Sequence, residues 1–337
     1  MQWWRAVIKK LQVIKPGILS LLQDKGRVGH HRLGLTTGGP LDTDSFHWAN
    51  RLCGNSDNAT AIEITIGGLE LISTASTRIA VTGAAMPLTI NGMAKELWRN
   101  HRINSGDRIQ LGFSQAGCRA YLAVAGGLQI APVFGSSATV VREGIGGLNG
   151  KPLQKNDNLL CFDDTTFSNR ANLQVPTNLR PLHFQLFDSQ RLNIQAHASN
   201  KIELRVIPSF QQDRFSREQL QLFFNNTYTI SDQYNRMGYR LNGPAIDSGI
   251  SSMLSEGICL GAIQIPGDGQ PIILLNDRQT IGGYPKIGTV LSLDLNRLAQ
   301  LQAGAEVRFS PISVEQAQQL VRQHYQYWQH VQPVPVQ

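Results

Sequence analysis

Short apolar runs, each closed by glycine, proline or asparagine, recur along this chain at spacings that leave no room for a helix between most of them. Residues 18–22, 61–66, 69–73, 78–82, 88–90, 108–112, 119–124 and 159–162 read as strands, and 201–207 opens a second series with strict alternation. Turn signals such as Gly67-Gly68, Asn91-Gly92 and Gly126-Gly127 separate them. Strands this short and this frequent fit a barrel or a sandwich. The absence of regular βαβ alternation excludes a doubly wound sheet, so the expected fold class is mainly β with a few short helices.

The helices carry recognisable start signals. Asp42 is a good N-cap for a helix through Phe46, Ala49 and Leu52, stopped by Gly54 and Asn55. Ser216 with Gln219, and Ser313 with Gln316, have capping-box spacing. Asp294 is expected to cap a helix containing Leu295, Leu298 and Leu301, and a terminal amphipathic helix is expected after Ser313. Residues 1–17 read as an extended lead-in and 163–182 as a linker region.

An internal echo points to two similar domains, bounded as 1–185 and 186–337. Arg27, Gly29, Arg32, Leu33, Gly39 and Pro40 recur as Arg236, Gly238, Arg240, Leu241, Gly243 and Pro244. Residues 103–109 and 301–307 echo each other later in the same order. Asp24 with Arg27, and Asp232 with Arg236, then form matching turns in which each arginine either offers its fork of donors to an anion or ties down its own turn.

Lys and Arg total 31 against 24 Asp and Glu, a formal charge of +7. These cations are scattered and not interleaved with aromatics, which argues against a nucleic-acid surface and for a small anionic substrate. No apolar h-region follows the N-terminal charges, and no window reaches the roughly 20 apolar residues of a membrane helix. The four cysteines lie far apart without metal-type spacing, so the expected compartment is the cytoplasm and no metal site is expected.

The stretch 251–290 is the most concentrated in chemistry. It reads as short strands, with Asp277, Arg278, Gln279 and Thr280 placed directly after a core strand. Gly282-Gly283 permit positive φ or close approach of a ligand, and Tyr284 and Lys286 flank a proline. A polar loop at the end of a rigid strand is a common way to present a site. Glu256 is a candidate base or acceptor for a substrate N–H, Asp277 a candidate acid, base or metal–phosphate ligand, and Lys286 a neutraliser of developing negative charge. No Walker A motif, dinucleotide fingerprint or nucleophile elbow is present.

The segments QDKGR (23–27), TTGGPLD (36–42), AIEITIGG (61–68), SDQYNRMGYRL (231–241), GAIQIPGDGQPI (261–272) and DRQTIGGYPKIG (277–288) resemble the biotin-dependent carboxyltransferase family, also called allophanate hydrolase subunit 2. Its stand-alone bacterial members include the C-type component of ATP-dependent 5-oxoprolinase, to which the likeness is closest. The resemblance implies two cyclophilin-like β-barrel domains facing a cleft lined by the 277–286 loop. It implies ATP-dependent opening of the 5-oxoproline lactam, carried out with a B-type partner of related fold and a third, lactam-hydrolysing protein. ATP, with Mg, is then the expected cofactor. The chain lacks a biotin-attachment sequence, so any biotin would arrive on another protein. On this resemblance the expected catalytic residues are Glu256, Asp277 and Lys286. The expected substrate-binding residues are Arg27, Arg236, Arg240, Gln264, Gln279, Thr280, Gly282, Gly283 and Tyr284. Two other activities occur in the family: urea carboxylase-like transfer from carboxybiotin, and non-enzymatic antagonism of a kinase inhibitor.

Overall fold

The computed structural model describes residues 10–162, 172–181, 201–250 and 253–336. The chain divides into two compact units, one of Met1–Arg27, Gly38–Ala198 and Gln332–Gln337, the other of Val28–Thr37 and Ser199–Val331. Much of the expected linker, 163–171 and 182, lies outside the described residues.

The first unit contains two antiparallel sheets. One runs in the order Asn158–Leu160, Lys10–Pro16, Leu69–Ser73, Arg108–Leu111, Leu88–Ile90, Met93–Lys95. The other runs Leu19–Gln23, Ala61–Thr65, Ala116–Val124, Thr77–Ala85, Asn100–Ile103. Alternate residues from both, among them Leu11, Val13, Leu71, Ile109, Ile62, Val81 and Leu122, meet in a single buried cluster. This is the period-2 pattern of a sheet with one face on the core. The lead-in expected over residues 1–17 therefore contains a strand, Lys10–Pro16, whose Leu11 and Val13 are fully buried. Its flanking lysines hide the alternation.

The second unit is a closed barrel. Its circuit is Lys201–Pro208, Lys286–Val290, Ala262–Gln264, Ile272–Leu274, Gly238–Asn242, Thr227–Tyr234 and Glu306–Pro311, with the last strand returning parallel to the first. Closure leaves no unpaired strand edge in this circuit. Aromatic packing fills part of it: Phe223 stacks on Phe309 at 4.4 Å between ring centroids, and Tyr228 lies against both. A Cβ at Gly243 would stand 2.4 Å from the Tyr228 ring, so only glycine lets the backbone pass there. The mainly β class expected from the strand pattern is what the chain adopts.

The repeat seen in the sequence has local counterparts. Gly106 (φ +91°) and Gly304 (φ +82°) each hold a left-handed turn just ahead of a strand, Arg108–Leu111 in one unit and Glu306–Pro311 in the other.

Four helices occur among the described residues. Thr43–Leu52 is capped by Asp42, whose Oδ1 accepts from the Ser45 N–H, and Val314–His330 opens with the complete Ser313–Gln316 capping box. At the helix Arg217–Asn225 the reciprocal half of the box is missing, because Gln219 Oε1 accepts from the Asp247 N–H instead. The helix expected to begin at Asp294 begins earlier and spans Ser292–Leu298, and the Asp294 carboxylate accepts from the Arg205 backbone and guanidinium. A tertiary partner outcompetes the cap. No described helix is long and apolar enough to cross a membrane.

His47, on the helix Thr43–Leu52, has its pKa lowered from 6.5 to about 4, chiefly because burial disfavours the charged ring. The neutral ring suits the folded state, so its contribution to stability is complete above pH 6.5 and is lost as pH falls toward 4. Replacing His47 by Gln is expected to flatten the acid limb of the stability curve. Urea midpoints at pH 7 and pH 4.5 should show wild type losing roughly 2 kcal/mol more than the variant over that range.

Candidate functional site

Within the barrel, the strand Lys286–Val290 is where chemistry and packing coincide. It lies between Lys201–Pro208 and Ala262–Gln264, and its register against the latter breaks: Ile263 is opposite Gly288, whereas Gln264 is opposite Lys286. Ile287 is the extra residue, a β-bulge of the kind that re-aims side chains beside functional sites. The bulge leaves the Lys286 N–H to the side chain of Gln211, which accepts it through Oε1 at 2.8 Å. Lys286 is only 6% exposed.

A buried ammonium is costly unless paired and hydrogen-bonded. Here Lys286 Nζ bonds Glu256 Oε1, and Gln211 Nε2 donates to the same oxygen. Gln211 thus holds both members, accepting from the backbone of one and donating to the carboxylate of the other. Among the described residues Glu256 Oε2 receives no hydrogen bond, and the Glu256 side chain is 29% exposed. It lines a cavity of about 390 Å³ with Phe210, Gln211, Asp213, Arg214 and Met253.

Glu256 is positioned by a two-residue ribbon, Glu256–Gly257 paired with Ile281–Gly282. Neither Gly282 nor Gly283 takes a positive φ; close packing selects them. A Cβ at Gly282 would lie 2.5 Å from Ile258 Cδ1 and 2.9 Å from Gln264 Nε2, and one at Gly283 would lie 2.7 Å from the Met253 carbonyl oxygen. Gln264 itself is buried beside Lys286, and among the described residues its Nε2 has no hydrogen-bond partner.

The other expected site residues lie as follows. Asp277 is gripped by Arg236 in a fork, Oδ2 to Nε and Oδ1 to Nη2, both at 2.9 Å, with both side chains buried. Arg236 therefore bonds Asp277, 41 positions away, and not its sequence neighbour Asp232. Arg27 donates to the carbonyls of Val133, Ser136 and Ala138 in the first unit, while Asp24 accepts from Gly26 N, Ser136 and Ser137 N. Of the two alternatives for these turns, neither arginine ties down its own turn by pairing with the nearby aspartate: Arg27 bonds carbonyls over 100 positions away and Arg236 bonds Asp277. Arg240 pairs with Asp268. Gln279 and Thr280 are half-buried, the Thr280 carbonyl accepting from Ile258 N, and Tyr284 is 41% exposed. Arg278 is buried and donates to the carbonyls of Ile258 and Leu275, and burial lowers its pKa.

Structure thus gathers Glu256, Gln264, Gly282 and Lys286 from the expected set and adds Gln211, with Phe210, Arg214 and Met253 on the cavity wall. Gln211 sits in the polar run 208–214 beside a short 3₁₀ turn, Gln212–Arg214, with nothing in its local pattern to distinguish it. Among the described residues no three His, Cys, Asp or Glu converge as a metal cage.

Residues 33–311 match the carboxyltransferase domain family, subdomains A and B. This chain belongs to that family. It is 33% identical over 328 residues to the C subunit of 5-oxoprolinase from Escherichia coli (strain K12), covering 95% of this chain and 97% of the relative. It is 30% identical over 314 residues to the C subunit of 5-oxoprolinase from Haemophilus influenzae, covering 93% of this chain and 94% of the relative. The crystal structure of the K. lactis urea amidolyase superposes with a TM-score of 0.84 at 27% identity, over 96% of this chain but 20% of that one. The family expected from the sequence motifs is the family the chain belongs to.

The Arg236–Asp277 fork is a buried pair, and removing one member leaves the other charged and unmet. Asp277→Ala is expected to lower the unfolding free energy by about 3–5 kcal/mol, measured by urea denaturation, whatever its effect on activity.

Proposed function

We propose that this chain is the C subunit of an ATP-dependent 5-oxoprolinase, acting with a B-type partner and a third, lactam-hydrolysing protein to open 5-oxoproline to glutamate. The observation that carries this reading is the end-to-end match to the C subunit of the E. coli 5-oxoprolinase, 95% of this chain against 97% of that protein. A match to one segment of a multidomain enzyme would be weaker support.

The chemistry of the Glu256–Lys286 cluster suits the task. A five-membered lactam is a poor electrophile with a poor leaving group, and ATP, with Mg, would supply activation by phosphorylating the amide oxygen. Were the amide oxygen to take the terminal phosphoryl group, with ADP leaving as the new O–P bond forms, the ring nitrogen would gain positive character and its N–H would become a stronger donor. Glu256 Oε2 would accept that N–H, while Gln211 and Lys286 fix the other carboxylate oxygen. A carboxylate oriented in this way does not reorganise as charge develops. Arg214, on the cavity wall, offers a cation to the substrate's own carboxylate. A Mg²⁺ ion carried on a nucleotide needs only one or two protein carboxylates beside the phosphates, which is compatible with a donor set that, among the described residues, forms no dedicated cage.

A second reading is favoured by the 0.84 TM-score to the urea amidolyase structure: carboxyl transfer from carboxybiotin delivered by another protein. Mixing the purified chain with candidate partner proteins, 5-oxoproline and ATP should yield glutamate and ADP. Lys286→Met and Glu256→Gln should each reduce that rate on the order of 100-fold with circular dichroism unchanged. Consumption of carboxybiotin with urea, without glutamate formation, would select the second reading.

A further inference from the structure

The 3₁₀ turn Gln212–Arg214 follows directly on Gln211, the residue that clamps Glu256 to Lys286. Gln211 and Phe215, at its two ends, are both buried. The N–H groups of Arg214 and Phe215 bond back to the carbonyls of Gln211 and Gln212, each at 3.0 Å. The turn is thus anchored on both sides, and it carries Asp213 and Arg214, which line the same cavity as Glu256. Among the described residues neither of these side chains is hydrogen-bonded or ion-paired, to each other or to any other group. Lys286 offsets the charge of Glu256. Beyond that pair, the cavity therefore offers one further anion and one cation, adjacent in the chain.

A lactam uses only part of this set. With the carboxylate of 5-oxoproline on Arg214 and its single ring N–H on Glu256, Asp213 has no donor to accept. Ring opening changes the nitrogen. Overall, a water oxygen bonds to the carbonyl carbon, the C–N bond breaks with its electron pair left on nitrogen, and both water protons end on that nitrogen. One neutral N–H becomes an ammonium with three, and a carboxylate beside an ammonium accepts a charge-assisted bond. We propose that Asp213 is a specificity-determining residue that accepts an N–H of this α-ammonium, so that the cavity recognises the ring-opened amino acid as well as the lactam. Arg214 keeps the α-carboxylate in both forms. This rests on the reading that the Glu256 cavity meets 5-oxoproline, and deepens it by giving a role to the one cavity carboxylate that the lactam leaves unused.

The test is calorimetric titration of the full chain, alone and with its candidate partner proteins, using L-glutamate, glutarate, 5-oxoproline and urea. Glutarate keeps both carboxylates and the carbon chain of glutamate but has no ammonium. Glutamate should bind at least about tenfold more tightly than glutarate. Asp213→Ala should weaken glutamate by about the same factor, while 5-oxoproline and glutarate hold or tighten, because losing a carboxylate favours an anion. A variant that was merely misfolded would weaken all three. Glutamate that fails to bind, that binds no more tightly than glutarate, or that binds wild type and Asp213→Ala equally overturns the inference. If 5-oxoproline still binds in that case, the 5-oxoprolinase reading stands without it. Binding of urea, with neither 5-oxoproline nor glutamate bound, overturns both. The glutarate comparison needs no variant, so the test holds even where Asp213→Ala does not fold.

Discussion

A lysine almost sealed inside a β-barrel wall must be neutralised on the spot, and the way Lys286 is neutralised organises everything around it. Its ammonium is met by one oxygen of Glu256, and Gln211 binds both partners, so three residues far apart in sequence become one rigid unit. The bulge at Ile287 frees the Lys286 N–H for this purpose. The short ribbon Glu256–Gly257 with Ile281–Gly282 brings the carboxylate over the strand end. Without the barrel's closed circuit none of these groups would be held to within hydrogen-bond tolerance. Buried ion pairs are weak sources of stability but precise positioning devices. Here one carboxylate oxygen fixes position, and the side chain that carries it lines the cavity.

A second charged unit of this barrel is built the same way, with the opposite result. Asp277 and Arg236 satisfy each other through both oxygens in a buried fork. The geometry ties the loop after Ile272–Leu274 to the turn before Gly238–Asn242, and in that state both oxygens of Asp277 are engaged. Two carboxylates of one unit thus differ in environment: one is bonded through both oxygens, the other, among the described residues, through one oxygen only and is partly exposed. That contrast, more than residue type, is what favours Glu256 over Asp277 as the group that meets a substrate.

Much of the fold was legible because period-2 alternation reports directly on a sheet with one buried face: Leu69–Ser73 and Leu88–Ile90 have the bounds expected, and most other strands differ by a residue or a few. Lys10–Pro16 was hidden because its ends are charged, and the ribbon carrying Glu256 because two residues have no periodicity to read. Asp294 illustrates a different limit. Local sequence makes it a cap, but Arg205, distant in sequence, takes its carboxylate. The site was legible in composition and obscure in pairing. Residues 277–286 advertised themselves by density of polar groups, yet the partners of Lys286 and Arg236 lie 30 and 41 positions away, and Gln211 lies in a polar run with no signal of its own. Of the two roles open to Arg27 and Arg236, pairing with the aspartate of the same turn is not the one adopted, because their partners are distant in sequence.

The central claim is that substrate is met at the open oxygen of Glu256, in the cavity walled by Phe210, Arg214 and Met253. A crystal structure of the chain with its candidate partner proteins and 5-oxoproline tests it most directly. The account predicts the ligand in that cavity, with its ring N–H on Glu256 and the Lys286–Glu256 bond intact. Ligand bound at another place on the assembly, with the Glu256 cavity holding only solvent, would contradict it.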